Sequence, residues 1–273
     1  MSTEFVEIDW AGRPVRIEFG WVGSADAQRP LIVFLHEGLG SVSMWRGFPH
    51  ALCSALGWRG LVYSRPGYGR STPRAADEAW GPDFMHRQAW QVLPALLAAL
   101  SIDTAAQPPW LLGHSDGGSI ALLHAARFVH RVAGAIVLAP HIVVERVSVA
   151  SIEQARLAYL HSDLRDKLAR HHDSPDSAFW GWNRAWLNPL FRHWSIEEEI
   201  STITCPLLAV QGVHDEYGTL DQINRIARRL PGTELRALAG CGHSAHRDQP
   251  EVLIAAIQAF IQPLFQQSAG DRP

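Results

Sequence analysis

Short, almost wholly apolar runs alternate along this chain with longer stretches in which apolar residues recur every three or four positions. Runs of the first kind, at 31–36 (LIVFLH), 60–63, 110–113, 133–139, 206–211 and 233–238, predict strands buried on both faces, since such strands show no polar side. Stretches of the second kind, at 44–56, 83–100, 115–129, 219–230 and 250–265, predict helices, the second of them kinked at Pro94. Residues 6–10 and 15–19, on either side of Gly12, predict an opening antiparallel hairpin. The alternation as a whole predicts an α/β fold, with a mostly parallel central sheet and helices on both faces.

The alternation stops between 141 and 201, where helical stretches occur without a convincing strand and six aromatic residues crowd together: Phe179, Trp180, Trp182, Trp186, Phe191 and Trp194. This segment is expected to be a helical cap inserted into a core made of 1–140 and 202–266, and 267–273 are expected to be a disordered tail. The aromatic block is expected mainly to staple the cap to the sheet, with some of its rings lining a pocket.

Composition removes several classes of function. With 47% hydrophobic and 19% charged residues the chain is an ordinary globular one. A net charge of −3 and the lack of a basic cluster argue against nucleic acid as a partner. No apolar run approaches membrane-spanning length, and residues 1–10 carry three acids and no apolar block, so neither a membrane span nor a signal peptide is expected. Three scattered cysteines, Cys53, Cys205 and Cys241, read as packing thiols of a cytoplasmic protein. Oligomeric state is not readable, and a homo-oligomer stays open.

The chemistry gathers where predicted strands end. Gly113-His114-Ser115-Asp116-Gly117-Gly118 joins a strand to a helix, and Gly-x-Ser-x-Gly at such a junction lifts a serine hydroxyl above the sheet edge. A serine nucleophile needs a base, and the base needs an orienting acid. Asp215 follows the strand at 206–211 and His243 follows the last strand, in the order Ser, Asp, His. Glu216 and Glu145 are weaker candidates for the acid, and His246 is the rival base. After the strand at 31–36 comes His36-Glu37-Gly38-Leu39-Gly40, whose Gly38 N–H, with that of Asp116, is the expected oxyanion hole.

These motifs, with Ser64-Arg65-Pro66-Gly67-Tyr68-Gly69-Arg70-Ser71 after the next strand, resemble those of the α/β-hydrolase superfamily in its capped, esterase-like branch, over nearly the whole chain. The resemblance implies the α/β-hydrolase fold and a serine hydrolase with Ser115 as nucleophile, His243 as base and Asp215 as acid, working without a cofactor or metal. The expected substrate is a small-molecule ester with a small to medium apolar or aromatic group. A thioester, an enol-lactone or a carbon–carbon bond beside a ketone fits the same triad. Candidate substrate contacts are Glu37, Trp180, Trp182, Trp186 and Tyr217. Two positions depart from the usual pattern: Glu37 stands where His-Gly is common, and Ser64 where relatives often carry aspartate. Glu37 is expected to point outward, the alternative being a carboxylate that discourages anionic substrates.

Rival readings fail on particular residues. Gly38-Leu39-Gly40 lacks the third glycine of a dinucleotide loop, and no acid ends the next strand. His171-His172-Asp173 has no matching ligand set and reads as a solvated helix end. A serine at the elbow argues against dehalogenases and epoxide hydrolases, which use aspartate there. A binding protein on a degenerate hydrolase fold would have lost a triad member, and none is lost.

Overall fold

The computed structural model describes residues 2–75 and 77–270, with side chains as far as 265. Its frame is one eight-stranded sheet. The opening hairpin, β1 (Glu4–Trp10) and β2 (Arg13–Gly23), pairs antiparallel, and β2 pairs antiparallel with β4 (Arg59–Tyr63). From there β3 (Leu31–Leu35), β5 (Trp110–His114), β6 (Gly134–Leu138), β7 (Leu207–Gly212) and β8 (Glu234–Leu238) continue in parallel, giving the order β1-β2-β4-β3-β5-β6-β7-β8.

Successive side chains of a strand point to opposite faces, so each apolar run supplies two cores at once. In β3, Leu31, Val33 and Leu35 join one core with α4 (Asp116–Arg127) and the cap. Ile32 and Phe34 join the other, with α1 (Phe48–Leu56) and α10 (Pro250–Gly270). Every residue of β3, β5, β6 and β7 is buried, which is why these strands read as unbroken apolar runs.

Several helices depart from their expected form. The stretch at 44–56 divides into a 3-10 turn (Val42–Trp45) and α1, with Gly47 between them. The stretch at 83–100 is α2 (Phe84–Arg87), a π turn (Gln88–Val92) and α3 (Leu93–Ala99). Pro94 has no N–H to give to the preceding turn, and the π turn absorbs the break. His124 and Trp90 then close the joint: the His124 imidazole bonds the Ala89 carbonyl at 2.8 Å, and the Trp90 indole donates to the Leu123 carbonyl at 3.2 Å. At the other end of the chain α10 runs to Gly270, into the stretch expected to be disordered, and 271–273 lie outside the described residues.

The inserted segment holds α5 (Arg146–His161), α6 (Leu164–Ala169), α7 (Pro175–Trp186) and 3-10 turns at Pro189–His193 and Glu199–Thr202. Its two ends are fastened to each other by a Val143–Ser195 bridge and a 2.9 Å bond from Ile196 N–H to the Ile142 carbonyl. Gln222, fully buried on α8 (Asp221–Arg229), clamps this neck: its side-chain oxygen accepts from Ile142 N–H at 2.8 Å, and its nitrogen donates to the Val143 carbonyl at 3.0 Å. No helix among the described residues is long and apolar enough to cross a membrane. Burial pushes the thiols up, Cys53 to about 12 and Cys205 and Cys241 to about 11, so all three stay protonated at neutral pH.

Candidate active site

Ser115 sits between β5 and α4 at φ 53° and ψ −121°, a conformation that a residue with a side chain adopts only when its surroundings force it. The forcing is visible. A β-carbon on Gly117 would collide with the carbonyl group of Leu35 in β3, and one on Gly113 would collide with the Gly117 backbone. Strand and helix are therefore in backbone contact, and the turn between them has no looser path. Ser115 N–H is tied to the Leu138 carbonyl at the end of β6, at 2.8 Å.

Asp215 and His243 stand on the loops after β7 and β8, at the same carboxyl edge of the sheet. His243 Nδ1 lies 2.8 Å from Asp215 Oδ1. The same carboxyl group accepts from the N–H groups of Tyr217 (2.8 Å) and Gly218 (3.2 Å) and, through its other oxygen, from the Gln211 amide (3.0 Å). Burial alone would raise this acid, but the hydrogen bond and charge of His243, with the Tyr217 N–H, hold it below the usual carboxylate range. An ionised Asp215 fixes the proton of His243 on Nδ1 and leaves Nε2 free to accept one. Ser115 Oγ makes no hydrogen bond among the described residues. Contacts of this kind often tighten only around substrate.

The rivals are occupied elsewhere. Glu145 accepts from the backbone N–H and hydroxyl of Thr219 and from Gln222, at the cap's neck. Glu216 accepts the His243 backbone N–H at 3.2 Å. His246 is buried among Trp45, Phe48 and His114, with neither ring nitrogen bonded, and burial lowers it to about 3. His171 bonds the Ser43 hydroxyl, and His172 links the backbones of Gly69 and Leu39. These two histidines tie the cap to the core and are not the solvated helix end expected of them.

The loop after β3 is held from beneath. His36 is buried and neutral, its pKa lowered by burial and by the Arg65 charge. Its Nδ1 donates to the Glu37 carbonyl at 2.7 Å, and its Nε2 accepts Arg65 N–H at 3.0 Å. The Arg65 guanidinium donates to the same Glu37 carbonyl at 2.8 Å. The backbone N–H groups of Gly38 and Asp116 are committed to no acceptor among the described residues. Asp116 opens α4, where the first N–H groups of a helix have no partner within it.

Of the four aromatic candidates, three reach this edge. Trp182 covers the loop after β3 so closely that a β-carbon on Gly38 would collide with its indole nitrogen. Trp186 donates its indole N–H to Asp116 Oδ1 at 3.1 Å and meets the ring of His141 edge-on. The Tyr217 ring lies 4.8 Å from that of His243. Trp180 packs instead, half-buried, against Tyr159 and Phe179 within the cap, with Arg184 over its face.

Both departures from the family pattern are resolved by partners distant in sequence. Ser64 donates its hydroxyl to Glu18 of β2 at 2.8 Å, and Glu18 also accepts the Arg70 N–H at 3.0 Å. A carboxylate borrowed from the next strand thus serves the arginine-glycine loop. Nothing in the run of sequence around Ser64 points to Glu18. Glu37 does not point outward as expected: its carboxylate turns toward His114 and Arg247.

A strained serine elbow and a bonded aspartate–histidine pair on this sheet are the arrangement of an α/β hydrolase. The chain belongs to the alpha/beta hydrolase family, whose family model matches residues 32–256. It is 24% identical to the sn-1-specific diacylglycerol lipase ABHD11 of Mus musculus, over 91% of this chain and 86% of that protein. Among solved structures it is similar in fold to a thermophilic esterase from Thermogutta terrifontis, with a TM-score of 0.72, 17% identity and coverage of 96% of this chain and 99% of that one. The enol-lactonase from Burkholderia xenovorans LB400 is similar too, with a TM-score of 0.71, 21% identity and coverage of 91% and 97%.

Proposed function

We propose that this hydrolase cleaves a carboxylic ester of a small to medium substrate through an acyl-enzyme on Ser115. The observation that carries the reading is the 2.8 Å bond between Asp215 and His243 Nδ1, which leaves Nε2 as the only nitrogen able to take a proton from Ser115. Ser115 Oγ attacks the ester carbonyl as His243 accepts its proton, and the N–H groups of Gly38 and Asp116 receive the charge that develops on oxygen. His243 returns the proton to the departing alcohol, and water then attacks the acyl-enzyme by the same route. Trp182, Trp186 and Tyr217 supply apolar surface around the triad for the acyl or alcohol group, and Asp116 and His141 supply polar atoms beside Trp186. A lipase and an esterase among the similar proteins agree with ester chemistry. No cofactor takes part in the scheme, and three free cysteines suit a cytoplasmic setting.

The test pairs wild type and Ser115→Ala with a fluorophosphonate probe and a series of p-nitrophenyl esters, beside a thioester and a lactone. Labelling and turnover by wild type, with at least a ~1000-fold loss in Ser115→Ala, are expected. Full turnover by Ser115→Ala would overturn the scheme, and preference for the thioester or lactone would replace the substrate class.

A further inference from the structure

His114, the residue just before the nucleophile, has no part in the triad, yet its ring is 1% exposed and faces a polar group with each nitrogen. Nε2 lies 2.9 Å from the backbone carbonyl oxygen of His243, which can only accept, so Nε2 carries a proton. Nδ1 faces Glu37 Oε2 at 3.4 Å, and Glu37 Oε1 lies 3.4 Å from Arg247 of α9 (Ala245–Asp248), just beyond the His243 loop. Burial would raise the Glu37 acid, but the hydrogen bond and charge of His114, with the Arg247 guanidinium, hold it well below the usual carboxylate range. Since Nε2–H is given to the carbonyl, Nδ1 meets this carboxylate as a second donor, in an imidazolium–carboxylate pair.

Three loops therefore meet at one pair of side chains. Glu37 belongs to the oxyanion loop, His114 to the elbow, and the carbonyl and Arg247 to the segment carrying His243. That segment needs an anchor, because it contains Gly240 (φ 65°) and Gly242 and hangs beyond the last strand. Asp215 orients the imidazole, and the main chain is tied to the loop after β7 through Glu216 on His243 N–H (3.2 Å) and His214 N–H on the Cys241 carbonyl (2.9 Å), and to its own helix through Asp248 on Gly242 N–H (2.9 Å). The His114 bond differs in kind, because it ties the His243 carbonyl to the elbow that carries Ser115.

We propose that Glu37 and His114 are positioning residues: Glu37 fixes the His114 ring, and His114 holds the His243 main chain at its working distance from Ser115. This rests on the serine-hydrolase reading. It gives the unusual His36-Glu37 pair a purpose unrelated to repelling substrate.

His114→Phe keeps a ring and removes the donor, whereas His114→Gln places an amide N–H near the position of Nε2. Both are compared with wild type by esterase kinetics, by the far-downfield proton resonance of the His243–Asp215 bond, and by melting temperature. In His114→Phe, kcat is expected to fall about 10- to 100-fold with KM within about two-fold, and the resonance to shift or broaden. His114→Gln is expected to recover most of the lost rate. A folded His114→Phe with kcat within two-fold of wild type and an unchanged resonance would overturn the proposal. So would equal losses in both variants that track melting temperature, since that is what lost packing alone would give. If His114→Phe does not fold, Glu37→Leu is read in the same way, with a kcat loss of about ten-fold expected and none overturning. A wild type that neither labels nor turns over would sink the hydrolase reading separately, and the resonance would then decide the positioning claim by itself.

Discussion

Asp116 shows how one residue can serve a site with its backbone and burden it with its side chain. Its N–H opens α4 beside Ser115, while its carboxyl group is fully buried, with Oδ1 bonded to Trp186 and Oδ2 without a partner among the described residues. Burial raises this acid to about 6, although Arg65 and Trp186 work in the other direction. A folded-state value above the unfolded one means that the native protein binds the proton more tightly, so the stability Asp116 contributes is fully present below about pH 4 and lost as pH rises through 6. About two pKa units correspond to about 3 kcal/mol. Asp116→Asn keeps the N–H and the acceptor for Trp186, so it should be more stable than wild type by up to that amount above pH 7, with the gap closing below pH 4. Parallel unfolding curves across that range would show that the buried charge costs nothing.

At the scale of elements, the cap is an insertion whose two ends leave the sheet side by side. Its neck depends on Gln222, which satisfies Ile142 N–H and the Val143 carbonyl from α8 while also donating to Glu145 at 2.8 Å. Gln222→Leu would leave these groups without partners, a loss of about 2 to 4 kcal/mol. The expected signs are a lower urea midpoint and faster amide exchange at Ile142 and Ile196, while β5 and β6 keep their protection. Unchanged exchange at the neck would mean that the bridge between Val143 and Ser195 holds the neck without Gln222. Within the cap, α7 divides the aromatic block between its two faces. Trp182 and Trp186 lie on α7 four residues apart, on the face turned to the sheet edge, whereas Trp180 lies on the face turned to α5.

For the molecule as a whole, four buried histidines are a liability in acid. Burial lowers His124 and His172 to about 4 and His141 and His246 to about 3, from an ordinary value near 6.5. A base with a depressed folded value stabilises the protein above its unfolded pKa, and that contribution is lost as pH falls from 6.5 toward 4. Each of the four adds a slope of up to about 1.4 kcal/mol per pH unit, and Asp116 offsets about one of them. Unfolding free energy measured by urea between pH 7.5 and 4.5 should therefore drop steeply below 6.5. A flat profile would show that these rings take up protons without opening the fold.

Much of the protein is determined by sequence alone, because local physics suffices for it. Strands covered on both faces must be apolar throughout, so β3, β5, β6 and β7 announce themselves and come within a residue or so of their ends. The elbow is legible because its glycines answer a backbone collision that any strand-to-helix turn this sharp must avoid. Pro94 marks its break because it lacks an N–H, although only the structure shows that a π turn takes up the strain. What tertiary structure alone decides are contacts between residues far apart in the chain. Glu18 reaches Ser64 because β2 pairs antiparallel with β4 in the register that sets Phe19 against Tyr63. Glu37 turns inward because His114 and Arg247, 77 and 210 residues away, converge on it and offset the cost of burying its charge. Spacing along the chain carries no trace of either meeting, since it is the order of strands in the sheet that brings the three loops to one edge.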